Sequence, residues 1–279
     1  MTRSVGIIQK KQLAISVLRE HRTVLVALSG GVDSAALLAV ACEALGPANV
    51  LAVTGRSPSV TQDEIRDAGE VARTLKVQHD VVDTFELDKP EYRANSGDRC
   101  FHCRSELFGV LSRLAKLRGI DAIAYGAIVD DLGDHRPGMD AARELGILSP
   151  LLDAGIGKND VRELANEFGL HVYEKPSSAC LASRIPIGSE VTPERLQQVG
   201  EAEAALRRLG FRQFRVRHHG DIARIELGAG EADRLVDPEL RAEIARRVRN
   251  AGFLFVAVDL EDYRAGGFYL IGPSRETGQ

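Results

Sequence analysis

Between residues 24 and 173, short apolar runs alternate with longer segments in which apolar residues recur every three or four positions. The runs at 24–28, 50–54, 79–83, 122–125 and 170–173 have the length and β-branched character of strands, and their mostly continuous apolarity suits strands covered on both faces. The segments 34–45, 63–75, 105–118 and 159–168 read as helices, and three of them stop at Gly46, Gly119 and Gly169, where a left-handed terminal residue fits. This alternation predicts an α/β domain built on a parallel sheet. An amphipathic stretch at 7–20 predicts an N-terminal helix packed on that domain.

The pattern changes after Lys175-Pro176. A loop containing Pro186, Gly188 and Pro193 leads to a predicted helix at 193–209, strands at 211–218 and 222–227, a helix at 238–251 and a strand at 254–259. Two domains are therefore expected, 1–176 with the parallel sheet and 177–279 as a smaller α+β domain for substrate binding or oligomerisation.

The first predicted strand runs directly into Ser29-Gly30-Gly31-Val32-Asp33-Ser34 and then into an apolar helix. Such a junction aims several backbone N–H groups and the positive end of a helix dipole at one point, and two adjacent glycines let an anion approach the backbone closely. A nucleotide-hydrolysing P-loop has Lys before its final Ser or Thr; here that position is Asp33, so a loop holding pyrophosphate fits better. An ordinary strand-to-helix turn capped by Asp33 and Ser34 is the alternative.

Four cysteines carry the other candidate chemistry. Cys42 lies in the apolar helix, where a thiol packs as a small hydrophobe. Cys180 sits in the loop between the predicted domains, with Lys175 and Arg184 on either side, cations that favour a thiolate. Cys100 and Cys103 form a Cys-Phe-His-Cys unit between Arg99 and Arg104, just before a predicted helix. With Cys180 they would supply three corners of a [4Fe-4S] cluster; spacing alone also allows a redox pair or packing. On the strand at 211–218, alternation places Arg215, Arg217 and His219 on one side, either as a phosphate grip or as a solvated charged face. Glu226 is a candidate metal ligand, while Asp130, Asp131 and Asp134 read equally as caps of an acidic turn.

Charge and composition narrow the partners. At 44% hydrophobic and 27% charged residues the chain can bury a core, and its net charge of −4 provides no basic field for a polynucleotide. No apolar run approaches the ~18 residues of a membrane span, and residues 1–11 lack the basic-then-apolar form of a signal peptide, so a cytoplasmic protein without a membrane or nucleic-acid partner is expected.

The hexapeptide from Ser29 to Ser34 resembles the signature of the PP-loop ATP pyrophosphatases. Three further segments resemble the ATP-dependent sacrificial sulfur transferases of nickel-pincer nucleotide cofactor biosynthesis: 125–138, beginning Tyr125-Gly126; Ala179-Cys180-Leu181-Ala182-Ser183-Arg184; and 215–226, from Arg215 to Glu226. The match departs at Ala127-Ile128-Val129, where relatives commonly carry polar residues.

The resemblance implies that ATP and Mg²⁺ bind at Ser29, Gly30, Gly31, Asp33 and Ser34, that Thr54, Ser57 and Gly126 border the nucleotide, and that Arg215 and Arg217, helped by Arg184 and Arg264, hold a substrate phosphate. It further implies adenylation of a pyridinium mononucleotide carboxylate and sulfur transfer from Cys180, or from sulfide on the Cys100, Cys103 and Cys180 cluster. A homo-oligomer that hands its product to other enzymes of the pathway is expected. The same loop also serves other amidating or thiolating enzymes, and a non-catalytic adenine-nucleotide sensor is the alternative from a different class.

Overall fold

The structure is a computed structural model and describes residues 2–133, 137–176 and 179–263. Internal contacts divide the chain into two units, Met1–Ala179 and Cys180–Gln279. The first runs α1 (Thr2–Leu18), β1 (Val24–Ala27), α2 (Val32–Leu45), β2 (Val50–Arg56), α3 (Gln62–Thr74), β3 (Gln78–Asp83), α4 (Pro90–Ala94), α5 (Arg99–Arg118), β4 (Ala122–Tyr125), α6 (Pro137–Glu144), α7 (Pro150–Asp153) and α8 (Lys158–Glu167).

Its four strands are parallel, in the order β3-β2-β1-β4. The strand period of two sorts the apolar residues into two cores. Val24, Val26, Val50, Ala52 and Ala124 face one layer with residues of α1, α2, α3, α7 and α8, whereas Leu25, Leu51, Val53, Ile123 and Tyr125 face the other with residues of α5 and α6. A sheet covered on both faces explains the continuous apolar runs. β3, at the edge, is the polar exception with Gln78, His79, Asp80 and Asp83.

α2 is buried almost all round, including every residue from Ser34 to Ala41. Its N-cap is Gly31, with no side-chain hydrogen bond to the first turn, which costs only a few tenths of a kcal/mol. Burial of Leu37, Leu38 and Val40, at about 1.5–3 kcal/mol each, outweighs that loss. The helix can therefore leave its first N–H groups open.

Two local expectations are corrected. The segment 170–173 is a 3-10 turn, His171–Glu174, rather than a strand. Leu170 and Val172 are buried in the helical layer, which mimics strand alternation. The Tyr173 N–H donates to Leu170 O and the Lys175 N–H to Val172 O, tightening the chain into turns, while Leu148 makes the bridge to β4. The helix expected at 105–118 begins at Arg99, so Cys100 and Cys103 lie within its first two turns instead of ahead of it. Buried Arg99, donating to Asn95 Oδ1 at 2.6 Å, anchors that turn.

The second unit contains α9 (Pro193–Arg208), β5 (Phe214–His219), β6 (Ile222–Leu227), α10 (Pro238–Asn250) and β7 (Phe255–Val258). β5 and β6 pair antiparallel and β7 joins β6 in parallel. Phe214, Val216, Ala223, Ile225 and Leu227 are buried on one face; Arg215, Arg217, Arg224 and Glu226 alternate with them on the other. No helix among the described residues is long and apolar enough to cross a membrane.

Candidate active site

The strand order changes direction at β1: β2 and β3 lie to one side and β4 to the other. In an open parallel sheet the carboxyl ends at such a reversal flank a crevice where ligands bind. β1 leads into the Gly30-Gly31 loop and Gly126 directly follows β4, so two of the sequence-predicted segments meet at this point.

The loop is shaped by its own hydroxyls. Ser34 Oγ accepts the Ser29 N–H at 3.1 Å and donates to Gly31 O at 3.1 Å, while Ser29 Oγ lies 3.1 Å from Ser34 Oγ and accepts the Gly31 N–H at 3.4 Å. The serines, expected as hydroxyl donors to an anion, thus hold the loop's curvature. The donors left for an anion are the amides of Val32, Asp33 and Ser34 in the first turn of α2, which have no acceptor within the helix.

Two glycines make this geometry sterically feasible. Gly30 has φ +73, and a Cβ there would stand 2.3 Å from Glu64 O of α3. A Cβ on Gly126 would stand 2.8 Å from Ser34 N and 2.9 Å from Asp33 C. Only a residue without a side chain lets β4 approach the mouth of α2 this closely. The cradle thus fits an anionic nucleotide tail.

Two lysines bracket the loop. Lys158 Nζ is 2.9 Å from both oxygens of Asp33, and Lys175 Nζ donates to Gly30 O at 2.9 Å and to Asp67 Oδ2. Burial pushes the Asp33 carboxyl above its ordinary range; the Lys158 ammonium opposes this, and Asp131 and Asp130 add to it. The Lys158 N–H donates to Asp130 Oδ2 at 2.8 Å, tying the turn after β4 to the start of α8, and Asp131 Oδ2 accepts the Ile128 N–H at 3.1 Å within that turn. Lys158 was not singled out from the sequence. A signal for it existed: a lysine at the first position of a helix works against the helix dipole and therefore needs another reason to be there.

Of the two residues expected to border a nucleotide at the end of the second strand, Thr54 is engaged within the sheet. Thr54 is buried; its hydroxyl donates to Leu28 O at 2.7 Å and lies 2.8 Å from His79 Nε2, bracing β2 against the end of β1. Ser57 lies at the carboxyl edge, with its Oγ accepting the Ser59 N–H at 3.2 Å.

In the second unit Cys180 caps the 3-10 turn Leu181–Arg184 and is partly exposed. Arg184 Nη1 donates to Cys180 O at 2.9 Å and to Ser183 Oγ at 2.9 Å, and Arg217 Nη1 donates to Ser183 O at 3.0 Å. Arg184 is only 2% exposed and pairs with Glu203, itself 3% exposed, through Nε at 2.8 Å and Nη2 at 3.0 Å. Glu203 also accepts the Val216 N–H at 3.1 Å. Arg184, expected from the sequence as a phosphate helper, thus braces the Cys180 turn.

Arg215 and Arg217 share the charged face of β5, as alternation predicted. Arg215 is packed over the Tyr263 ring at 4.7 Å and donates to Phe214 O; burial, followed by the nearby Arg184 charge, holds its guanidinium below the usual value. Such crowding of like charges favours an incoming anion. The weakly expected metal ligand Glu226 is occupied otherwise: its Oε2 takes Arg217 at 2.9 Å and its Oε1 takes Arg224 at 2.9 Å, while Arg224 also reaches Asp259. Both of its oxygens are thus engaged by guanidinium groups.

Cys100 and Cys103 stand at i and i+3 on α5, one helical turn apart on the same side. Cys42 packs against the apolar core, and burial pushes its thiol up to about 12. Arg264 and Asp134 lie outside the described residues.

The NAD synthase family model matches residues 10–101. An uncharacterized protein of Synechocystis is 43% identical over 87% of this chain and 90% of its own length. The pyridinium-3,5-bisthiocarboxylic acid mononucleotide synthase of Lactiplantibacillus plantarum is 36% identical over 92% of both chains. The tRNA-specific 2-thiouridylase MnmA of Rickettsia rickettsii is 28% identical over 59% of this chain and 54% of its own. With a loop of open first-turn amides at the sheet's switch point and this likeness along nearly its whole length, the chain belongs to the PP-loop superfamily and, within it, to the family of the pyridinium-3,5-bisthiocarboxylic acid mononucleotide synthase.

Proposed function

We infer that this chain is an ATP-dependent sulfur transferase that converts a carboxylate of a pyridinium mononucleotide into a thiocarboxylate. The observation that carries the reading is the cradle formed by the first-turn amides of α2, Gly126 and Lys158, which suits a pyrophosphate leaving group. The substrate carboxylate oxygen attacks the α-phosphorus of ATP and pyrophosphate departs. Lys158 exchanges Asp33 for the departing phosphates, and the amides of Val32, Asp33 and Ser34 stabilise the charge that develops there. Asp33 is the residue that would hold Mg²⁺, which would offset phosphate charge.

Cys180 then attacks the acyl carbon as a thiolate and expels AMP, giving a thioester. Removal of the Cys180 α-proton followed by cleavage of its Cβ–S bond releases the thiocarboxylate and leaves dehydroalanine. Arg184 and Arg217 hold the backbone of the Cys180 turn through its carbonyls, and Arg215 and Arg217 grip the substrate phosphate. An assembly of several copies passes the product to a later enzyme of the cofactor's synthesis.

Intact-protein mass after incubation with ATP, Mg²⁺ and the carboxylated pyridinium mononucleotide tests this reading. Loss of one H₂S, mapped to Cys180, is the expected result. Absence of thiolated product would refute the substrate. One observation supports a second sulfur source: Cys100 and Cys103 stand one turn apart on the same side of α5, where they would supply two of the three cysteine ligands of a [4Fe-4S] cluster. Thiolated product with unchanged protein mass and bound iron would select that source.

A further inference from the structure

We propose that Asp67, Glu70 and His171 form a binding site for a transition-metal dication of the Zn²⁺ type, separate from the Mg²⁺ that accompanies ATP. Asp67 and Glu70 stand at i and i+3 on α3, and His171 opens the 3-10 turn that follows α8. One ligand atom from each lies within 4.8 Å of the others. His171 Nε2 is 3.4 Å from Glu70 Oε2 and 3.9 Å from Asp67 Oδ1. Ligand atoms around a tetrahedral Zn²⁺ stand about 3.3 Å apart when each bond is about 2.0–2.1 Å. The first spacing is close to that edge, and the second needs only a small rotation of His171, whose side chain is 42% exposed.

The donor set selects the ion. One imidazole nitrogen and two carboxylates leave a fourth position for water, an arrangement that suits Zn²⁺ and other imidazole-binding dications; Mg²⁺ and Ca²⁺ prefer oxygen alone. Asp67 is already oriented as a ligand, because Lys175 holds its Oδ2 and leaves Oδ1 turned to His171. A carboxylate fixed in this way by an outer hydrogen bond is a common support of metal sites. Lys175 also donates to Gly30 O, so the site is joined to the phosphate loop through one side chain. The competing account is a surface ion pair between a protonated His171 and the two carboxylates, which needs no metal.

Calorimetric titration of the full-length chain with Zn²⁺, in excess Mg²⁺ to saturate oxygen-only sites, decides between them. The expected result is one Zn²⁺ bound per chain with micromolar affinity, weakened at least about tenfold by His171→Ala and by Glu70→Gln and retained when Cys100→Ser and Cys103→Ser are combined. Zn²⁺ should also raise the thermal midpoint of the wild type and not that of His171→Ala. Affinity unchanged by His171→Ala, loss of the site in the double cysteine variant, or no saturable binding in the wild type would each overturn the proposal.

Discussion

The ammonium of Lys158, the first residue of α8, lies 2.9 Å from both oxygens of Asp33 in the phosphate loop, 125 positions earlier in the chain. The pair places a cation at the mouth of α2 before any nucleotide arrives, and it sets the first prediction. Lys158→Ala should reduce pyrophosphate release by at least about tenfold. Stability should change by only about 1 kcal/mol, because both side chains are partly exposed and the pair is screened. Single-turnover pyrophosphate assays and thermal melts measure the two effects; normal turnover would remove Lys158 from the machinery.

Gly126→Ala tests the close approach of β4 to the loop. The added Cβ would stand within 2.9 Å of backbone atoms of Asp33 and Ser34, which cannot rotate away. A loss of about 1–3 kcal/mol is expected from the overpacking, together with weaker ATP binding. Chemical denaturation and equilibrium dialysis with ATP check both, and a variant equal to wild type in each would contradict the packing described.

Separating the two chemical steps gives a third prediction. Cys180→Ser should retain ATP-dependent adenylation of the carboxylate, read as pyrophosphate released, and should yield no thiocarboxylate. Thiolated product from this variant, assayed by mass spectrometry, would require another sulfur donor.

Arg184 and Glu203 form a pair buried from water on both sides, so removing one partner should be far worse than removing both. Arg184→Met or Glu203→Leu alone is expected to destabilise by about 3–5 kcal/mol, and the double variant by less than either. Denaturant titrations of the four proteins complete the cycle. Additive losses would mean that the pair acts through its separate contacts with Cys180 O and Val216 N.

Stability should fall in mild acid. His79 and His218 are held below the ordinary imidazole range, chiefly by burial, with Asp80 opposing the shift at His79 and Arg195 adding to it at His218. In the unfolded chain both return to about 6.5. Just below that pH the unfolded chain binds more protons, so their contribution is complete above about 6.5 and is lost as the pH falls toward the folded values. His79→Asn should flatten the fall of the thermal midpoint between about pH 7 and 5.5. An unchanged slope would assign it to other groups.

The glycines, serines and Asp33 of the phosphate loop are contiguous, so their chemistry was legible before any fold was known. The same holds for the parallel sheet, because strands covered on both faces need apolar residues at nearly every position, and for the alternating arginines of β5. Leu170 and Val172 misled, since a buried turn and a strand can place the same two residues inside. The first turn of α5 was equally hidden, because Arg99 is fixed there by Asn95 rather than by local apolar spacing.

What the sequence by itself determined is therefore what neighbours in the chain carry: the period of most elements, the candidate phosphate loop and the candidate thiols. The tertiary structure alone decided which distant groups share a charge. Lys158 meets Asp33, Arg184 meets Glu203, and Arg217 of β5 meets Glu226 of β6. The physical reason is that ion pairing and burial depend on distance in space, and residues far apart in sequence leave no periodic trace of their meeting.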